Sequence, residues 1–199
     1  AINIHASHSC KDIKILNCTV NLNRSSLHGI KFQEAADDVL VEGCRIIAKP
    51  GLPMGILLGG FRSVGKHGAA NRWTFRNNII DRGQGGVSFN ASQKARKRKV
   101  KGKVINTPAR ASSINDLVFE GNTIRGGEGD TADLKLGRVH GGRIINNKFL
   151  SKAGAGVIAT GKGNKDLMFT GNEFAGPGLT ALKTAVKTCR DNKGRVNLQ

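Results

Sequence analysis

Asp116-Leu117-Val118-Phe119-Glu120-Gly121-Asn122-Thr123-Ile124 is the stretch on which the reading of this chain turns, because its pattern recurs through the sequence. The pattern is apolar, any, apolar, any, small or Asn, Asn or Cys, any, apolar. It returns as Ile13-Lys14-Ile15-Leu16-Asn17-Cys18-Thr19-Val20, Val39-Leu40-Val41-Glu42-Gly43-Cys44-Arg45-Ile46 and Trp73-Thr74-Phe75-Arg76-Asn77-Asn78-Ile79-Ile80. Past Asn122 it returns as Gly142-Arg143-Ile144-Ile145-Asn146-Asn147-Lys148-Phe149 and Leu167-Met168-Phe169-Thr170-Gly171-Asn172-Glu173-Phe174. The Asn/Cys marks at 18, 44, 78, 122, 147 and 172 are spaced by 26, 34, 44, 25 and 25 residues, so the base period is near 25 and two gaps are enlarged.

A period-two strand pattern at a fixed interval signals a solenoid, in which each unit buries its apolar face only by stacking on the next. A second strand follows in most copies: Gly29-Ile30-Lys31-Phe32, Gly55-Ile56-Leu57-Leu58, Gly86-Val87-Ser88-Phe89, Leu134-Lys135-Leu136 and Gly156-Val157-Ile158-Ala159. The Asn mark has a physical reason: where the coil bends after a strand, Asn tolerates left-handed backbone geometry and its amide bonds neighbouring backbone. Stacked about 4.8 Å apart, such side chains form a ladder.

On these copies, from residue 11 to 183, the chain resembles the right-handed parallel β-helix superfamily of pectate lyases, polygalacturonases and phage tailspikes. The resemblance implies an all-β, single-stranded right-handed parallel β-helix of about six rungs, one domain over 1–199. It also implies homotrimer packing of the tailspike kind. A long basic insertion at about 90–113 and a C-terminal cap or hairpin at about 184–199 complete the expected organisation.

Among 199 residues, 32 are Lys or Arg and 14 are Asp or Glu, giving a net charge of +18. Such a charge calls for an anionic partner: acidic polysaccharide, nucleic acid or an acidic protein surface. No apolar run is long enough to span a bilayer. No secretory signal is evident at Ala1-Ile2-Asn3-Ile4-His5, so the chain reads as a processed or excised piece, with a virion or extracellular setting favoured. Cys18 and Cys44 share the ladder position on adjacent rungs and read as stacked thiols. Without paired cysteine spacing no metal is expected, and no cofactor is implied.

The first enlarged gap, from about Ala48 to Ala70, reads as a turn-rich loop beside a buried strand. The second contains Lys94, Arg96, Lys97, Arg98, Lys99, Lys101 and Lys103, seven basic residues in ten, and no acidic residue occurs between Asp81 and Asp116. This segment reads as a mobile projecting loop, suited either to gripping carboxylate, sulfate or phosphate groups of a polyanion by charge neutralisation or to a plainer solubilising or partner-docking role. No aromatic residue interleaves it to stack on bases, which argues against sequence-specific nucleic-acid recognition. Beyond the last rung, Asp191-Asn192-Lys193-Gly194 reads as the turn of a closing hairpin.

Alternation sends Ile13/Ile15, Val39/Val41, Trp73/Phe75, Leu117/Phe119, Ile144 and Leu167/Phe169 inward. The outward neighbours include Leu16, Leu40, Val118, Ile145 and Met168. A contiguous exposed apolar strip marks an interface, and a homotrimer is the expected form; insertions folded back over the strip are the alternative.

The richest polar stretch is 125–143. Glycosidic cleavage needs two carboxylates about 5 to 9 Å apart, and Glu128, Asp130 and Asp133 supply candidates. Lyase chemistry, as the resemblance implies, needs a basic residue near a group that neutralises the uronate; Lys135, Arg138, His140 and Arg143 are the candidates. An ordinary charged turn is the plainer reading. Asp37-Asp38 resembles the paired aspartates of polygalacturonases, and His28-Gly29 or His140-Gly141 part of their Gly-His-Gly element. The Asn-Thr-Asp and Arg-Ile-Lys elements are absent, however. Two functions follow: a structural and binding module of the tailspike or virion type that contacts an anionic surface or acidic polysaccharide, or a lyase or hydrolase acting on acidic glycan.

Overall fold

Alternating apolar residues make strands here because each strand has one face to bury and a neighbour one period away to bury it against. The computed structural model describes residues 2–4, 10–22, 28–32, 36–49, 56–59, 69–82, 86–93, 96–100, 103–107, 110–126, 132–150, 157–159, 163–175 and 196–198. After β1 (Ile2–Ile4), successive turns of the coil run β2 (Ile13–Leu16), β3 (Thr19–Leu22), β4 (His28–Phe32), then β5 (Asp37–Glu42), β6 (Arg45–Ala48), β7 (Ile56–Gly59), then β8 (Ala70–Arg76), β9 (Ile79–Arg82), β10 (Gly86–Asn90). Four strands of the insertion follow: β11 (Ser92–Gln93), β12 (Arg96–Val100), β13 (Lys103–Thr107) and β14 (Arg110–Ala111). The coil resumes with β15 (Ile114–Glu120), β16 (Thr123–Gly126), β17 (Leu134–Gly137), β18 (Val139–His140), β19 (Arg143–Ile145), β20 (Lys148–Leu150), β21 (Val157–Ala159), β22 (Leu167–Thr170), β23 (Glu173–Phe174) and β24 (Val196–Leu198).

Apart from β11–β14, these strands stack into three sheets. The first has the order β2-β5-β8-β15-β19-β22-β24, with β18 also against β15; the second β3-β6-β9-β16-β20-β23; the third β1-β4-β7-β10-β17-β21. Pairing along the first sheet is parallel and in step, so Lys14, Leu40, Thr74, Val118, Arg143 and Met168 form one outward column and Leu16, Glu42, Arg76, Glu120, Ile145 and Thr170 a second. The fold is thus an all-β parallel β-helix. Ile15, Val39, Val41, Trp73, Phe75, Leu117, Phe119, Ile144, Leu167 and Phe169 are all buried, as alternation predicts. Phe32, Trp73, Phe75, Phe89 and Phe119 stack through the interior with ring centroids 4.8 to 6.4 Å apart. Trp73 is core, and its Nε1 donates to the Ala36 carbonyl at 2.7 Å.

The marked residues stand in single file. Asn78 Nδ2 donates to Asn122 Oδ1 at 2.9 Å, Asn122 Nδ2 to Asn147 Oδ1 at 3.0 Å, and Asn147 Nδ2 to Asn172 Oδ1 at 3.0 Å. Each of these oxygens also accepts the backbone N–H of the residue one rung back, and Asn78 Oδ1 takes the N–H of Cys44 in the same way. Each amide nitrogen donates a second bond to a strand carbonyl: Val41, Phe75, Phe119 and Ile144. Cys18 and Cys44 continue the file as free thiols, and burial pushes the Cys44 thiol up.

The left-handed geometry expected at the ladder Asn lies one residue earlier. Asn17, Gly43, Asn77, Gly121, Asn146 and Gly171 have φ between 51° and 63°. Asn and Gly alternate there for a steric reason. A Cβ on Gly121 would stand 2.6 Å from Asn77 Oδ1, and Gly43 and Gly171 are crowded in the same way by Asn17 and Asn146.

Two expectations outside the coil change. The insertion is not an irregular loop: β12 and β13 pair antiparallel from Arg96↔Thr107 to Val100↔Lys103, and β11 pairs with β14 at the base. Lys–Arg repetition lacks an apolar period but keeps an extended backbone that can pair with itself. At the other end, β24 pairs parallel with β22, Leu167↔Val196 to Phe169↔Leu198, and so extends the first sheet where an antiparallel hairpin leg was expected. The turn proposed at 191–194, with the rest of 184–195, lies outside the described residues.

Candidate functional site

The third sheet hands the chain to the first through a tight corner, and the corner residue must adopt positive φ. Asp12, Asp38, Arg72, Asp116, Gly141 and Asp166 occupy it, with φ from 51° to 69°. Asp is tolerated there, with a short polar side chain that bonds locally. Stacking therefore turns six corners into an axial column of mostly acidic side chains. Beside it runs a second ladder, in which Asp37 Oδ1 accepts from Asn71 Nδ2 at 2.8 Å and Asn71 Oδ1 from Asn115 Nδ2 at 2.8 Å.

Within the column, Arg72 binds Asp38 by a fork, Nε to Oδ1 at 2.5 Å and Nη2 to Oδ2 at 2.9 Å. That hydrogen-bonded guanidinium holds the Asp38 carboxyl below the ordinary carboxylate range. The Asp37-Asp38 pair is committed to these structural contacts. Further along, the column opens into a cleft of about 390 Å³ lined by Asp116, Gly141 and Asp166 at the corner and by Val118, Arg143 and Met168 on the outward face. Gly141, at φ 69°, leaves the gap between the two aspartates; a Cβ there would lie 3.1 Å from Asp116 Oδ1.

Of the candidates in 125–143, Glu128 and Asp130 lie outside the described residues. Asp133 is buried and precedes β17, on which Lys135 is the half-buried, outward residue between buried Leu134 and Leu136. Arg138 stands at φ 60° and donates from Nε to the Ser112 carbonyl at 2.7 Å. His140 Nε2 lies 2.9 Å from the Gly163 carbonyl oxygen, and burial lowers its pKa. Arg138 and His140 meet around Gly163, while Lys135 belongs to the third sheet and Asp133 immediately precedes it. Arg143 joins the cleft instead.

For the basic segment, Lys94 and Lys101 lie outside the described residues, and Arg96, Lys97, Arg98, Lys99 and Lys103 are on the paired strands of the arm. The arm is rooted at the same corner as the cleft: Ser112 N donates to the Ala91 carbonyl at 2.9 Å and Ala91 N to the Gly137 carbonyl at 3.1 Å. Val104, near its tip, is 55% exposed.

The apolar outward residues form two groups. Leu16, 45% exposed, stands opposite Glu42 and diagonal to half-buried Leu40; Val118, Ile145 and Met168 lie further along, half-buried. Thr74, Glu42, Arg76 and Glu120 come between, with Arg76 Nε 2.9 Å from Glu42 Oε1. On the second sheet Asp81 bridges Arg45, at 3.0 Å, and Arg125.

Sequence reasoning passed over Asp116, Gly141 and Asp166 as site residues. The signal was available: one polar or glycine residue stands immediately before the first apolar position of every copy. Among the described residues no cluster of three or more His, Cys, Asp or Glu is placed to hold a metal, and no helix is long and apolar enough to cross a membrane.

Three parallel sheets wound into one coil, lined by an asparagine ladder and bearing a two-stranded arm and a cleft, define a parallel β-solenoid. The chain belongs to the right-handed β-helix family, whose model, described as right handed beta helix region, matches residues 1–174. No curated protein and no solved structure matches it. Membership of this family points to a structural or carbohydrate-related module.

Proposed function

We propose that the protein is a structural and binding module that holds acidic polysaccharide, with the arm supplying the charge contacts, in an assembly of the tailspike or virion type. The observation that supports it is the two-stranded arm, anchored on the coil and carrying Arg96, Lys97, Arg98, Lys99 and Lys103 on a chain of net charge +18. Antiparallel pairing holds the backbone that carries these residues extended, which lowers the entropy lost on binding a polymer. Replacing the seven basic residues between 94 and 103 by Gln keeps the strands and removes the charge. Polygalacturonate affinity should fall on the order of 100-fold between 50 and 200 mM salt for the native chain, the behaviour of several neutralised anionic groups. The Gln variant should bind at least tenfold more weakly at 50 mM. Affinity indifferent to salt, or equal in both proteins, would overturn the reading.

Assembly as a homotrimer along the outer face of the first sheet belongs to the same proposal. Its support is the exposure of Leu16 on the outer face of the first sheet, with Leu40 diagonal to it on the next rung, since exposed apolar residues on a sheet face mark contact surfaces. Sedimentation equilibrium should give three times the chain mass, reduced to one by Leu16→Glu. A native chain that sediments as a monomer at tens of micromolar removes this part.

A further inference from the structure

We infer that Cys18 and Cys44 are a disulfide-forming pair, a modification site that a small-molecule disulfide such as oxidised glutathione converts into a covalent staple between the first two rungs. Pairing is unbroken on both sides of them. Leu16 stands opposite Glu42 and Thr19 opposite Arg45, with Asn17 N donating to the Glu42 carbonyl at 2.9 Å and Arg45 N to the Cys18 carbonyl at 2.8 Å. Cys18 and Cys44 therefore face each other across one strand interval of about 4.8 Å, within the roughly 4.4 to 6.8 Å between Cα atoms that a disulfide spans. The thiols already lean together: Cys44 Sγ reaches back one rung, 3.5 Å from the Ile15 carbonyl, and interacts with both the backbone and the thiol of Cys18. Cys10, also free, is bridged to Ala36 before β2, so the length of that strand separates it from Cys18.

The place of the pair in the coil gives the bond a role. From Asn78 to Asn172 amide hydrogen bonds tie each rung to the next, whereas Cys18 and Cys44 bring no side-chain amide to the file. Their S–H groups are weak donors, held by the Leu16 and Glu42 carbonyls at 3.3 and 3.4 Å, so oxidation sacrifices little. Among the described strands, β2 and β3 on either side of Cys18 stand at the edges of their sheets. Edge rungs, with a neighbour on one side only, are where a stacked array opens first. The chemistry balances. Cys18 is the accessible thiol, half-buried, while Cys44 is 1% exposed and burial pushes its thiol up. The Cys18 thiolate attacks one sulfur of the small disulfide, forming a mixed disulfide and releasing one thiol. Cys44, on losing its proton, attacks the Cys18 sulfur and expels the second thiol. Two protein thiols are thus oxidised by two electrons, the small disulfide is reduced by two, and both protons end on the released thiols.

The test equilibrates the full chain in mixtures of reduced and oxidised glutathione, quenches in acid, caps free thiols with N-ethylmaleimide, digests with trypsin and weighs the peptides. The expected product is the peptide 15–24 joined to 32–45, two hydrogens lighter than their sum, in more than half of the chains when oxidised glutathione dominates. The linked chain should melt on the order of 5 °C or more above the reduced one, because the bond closes a loop in the unfolded chain. The double variant Cys18→Asn/Cys44→Asn supplies both rungs with the amide found at Asn78 and so separates the bond from the packing. It should fold, and its melting temperature should be the same in every glutathione mixture. Glutathione left on Cys18 without release, a link from either residue to Cys10 or Cys189, or both thiols capped in the most oxidising mixture would overturn the inference. So would a linked chain that melts no higher than the reduced one, or a double variant that responds to glutathione as the native chain does.

Discussion

Asn122 makes four hydrogen bonds through its side chain. Its Oδ1 accepts from both the backbone N–H and the side-chain amide of Asn78, and its Nδ2 donates to Asn147 Oδ1 and the Phe75 carbonyl. All of this is buried, and a buried polar group left without a partner costs about 1 to 3 kcal/mol. Asn122→Ala orphans several at once. The expected loss is about 3 kcal/mol or more, read as a lower midpoint in chemical denaturation; a change under about 1 kcal/mol would mean that water replaces the rung. The preceding residue is constrained differently. Gly121 has φ 61° and no room for a Cβ beneath Asn77. Small-or-Asn followed by Asn was visible in the sequence as one composite mark. Which of the two bears the left-handed backbone was not legible in the Asn-Asn copies, because Asn suits both roles, and Gly43, Gly121 and Gly171 were the signal that went unread.

At the scale of elements, legibility followed burial. Strands such as Trp73–Phe75 and Leu117–Phe119 were readable because the sheet forces one face into the core, so period-two alternation is written into composition. The second strands, Ile30–Phe32, Val87–Phe89 and Leu134–Leu136, were readable for the same reason. The arm was not. Arg96–Val100 has no apolar alternation, and its strand state rests on antiparallel pairing with Lys103–Thr107, a contact between segments that composition does not encode. The C-terminal strand was left open between a cap and a hairpin for a related reason: Val196-Asn197-Leu198 fits a hairpin leg or a rung equally well, and it pairs parallel with the edge of β22. The corner column shows the intermediate case. Asp116, Gly141 and Asp166 precede recognisable strands, yet 50 residues separate the two aspartates in sequence, and only the stacking of rungs makes them the two walls of one cleft.

For the whole molecule, charge and coil act against each other. A net charge of +18 repels itself in the compact state, and salt screens that repulsion over a Debye length of about 10 Å at 0.1 M. Thermal stability should therefore rise between 20 and 200 mM salt while polyanion affinity falls over a comparable range, and the rise should shrink in the arm variant with seven fewer positive charges. A melting temperature that falls with salt would show that the acidic corner column and the Arg45–Asp81–Arg125 bridge outweigh the general repulsion. The sequence by itself determined the coil: its period, its buried faces, its asparagine file and its charge, all of which are local or strictly repeating and so leave a trace in every copy. Tertiary structure alone decided the ordering of the arm, the place of the last strand and the meeting of Asp116, Arg143 and Asp166. Those depend on how far one turn advances and which edges remain open, and stacking sets both only when the rungs come together.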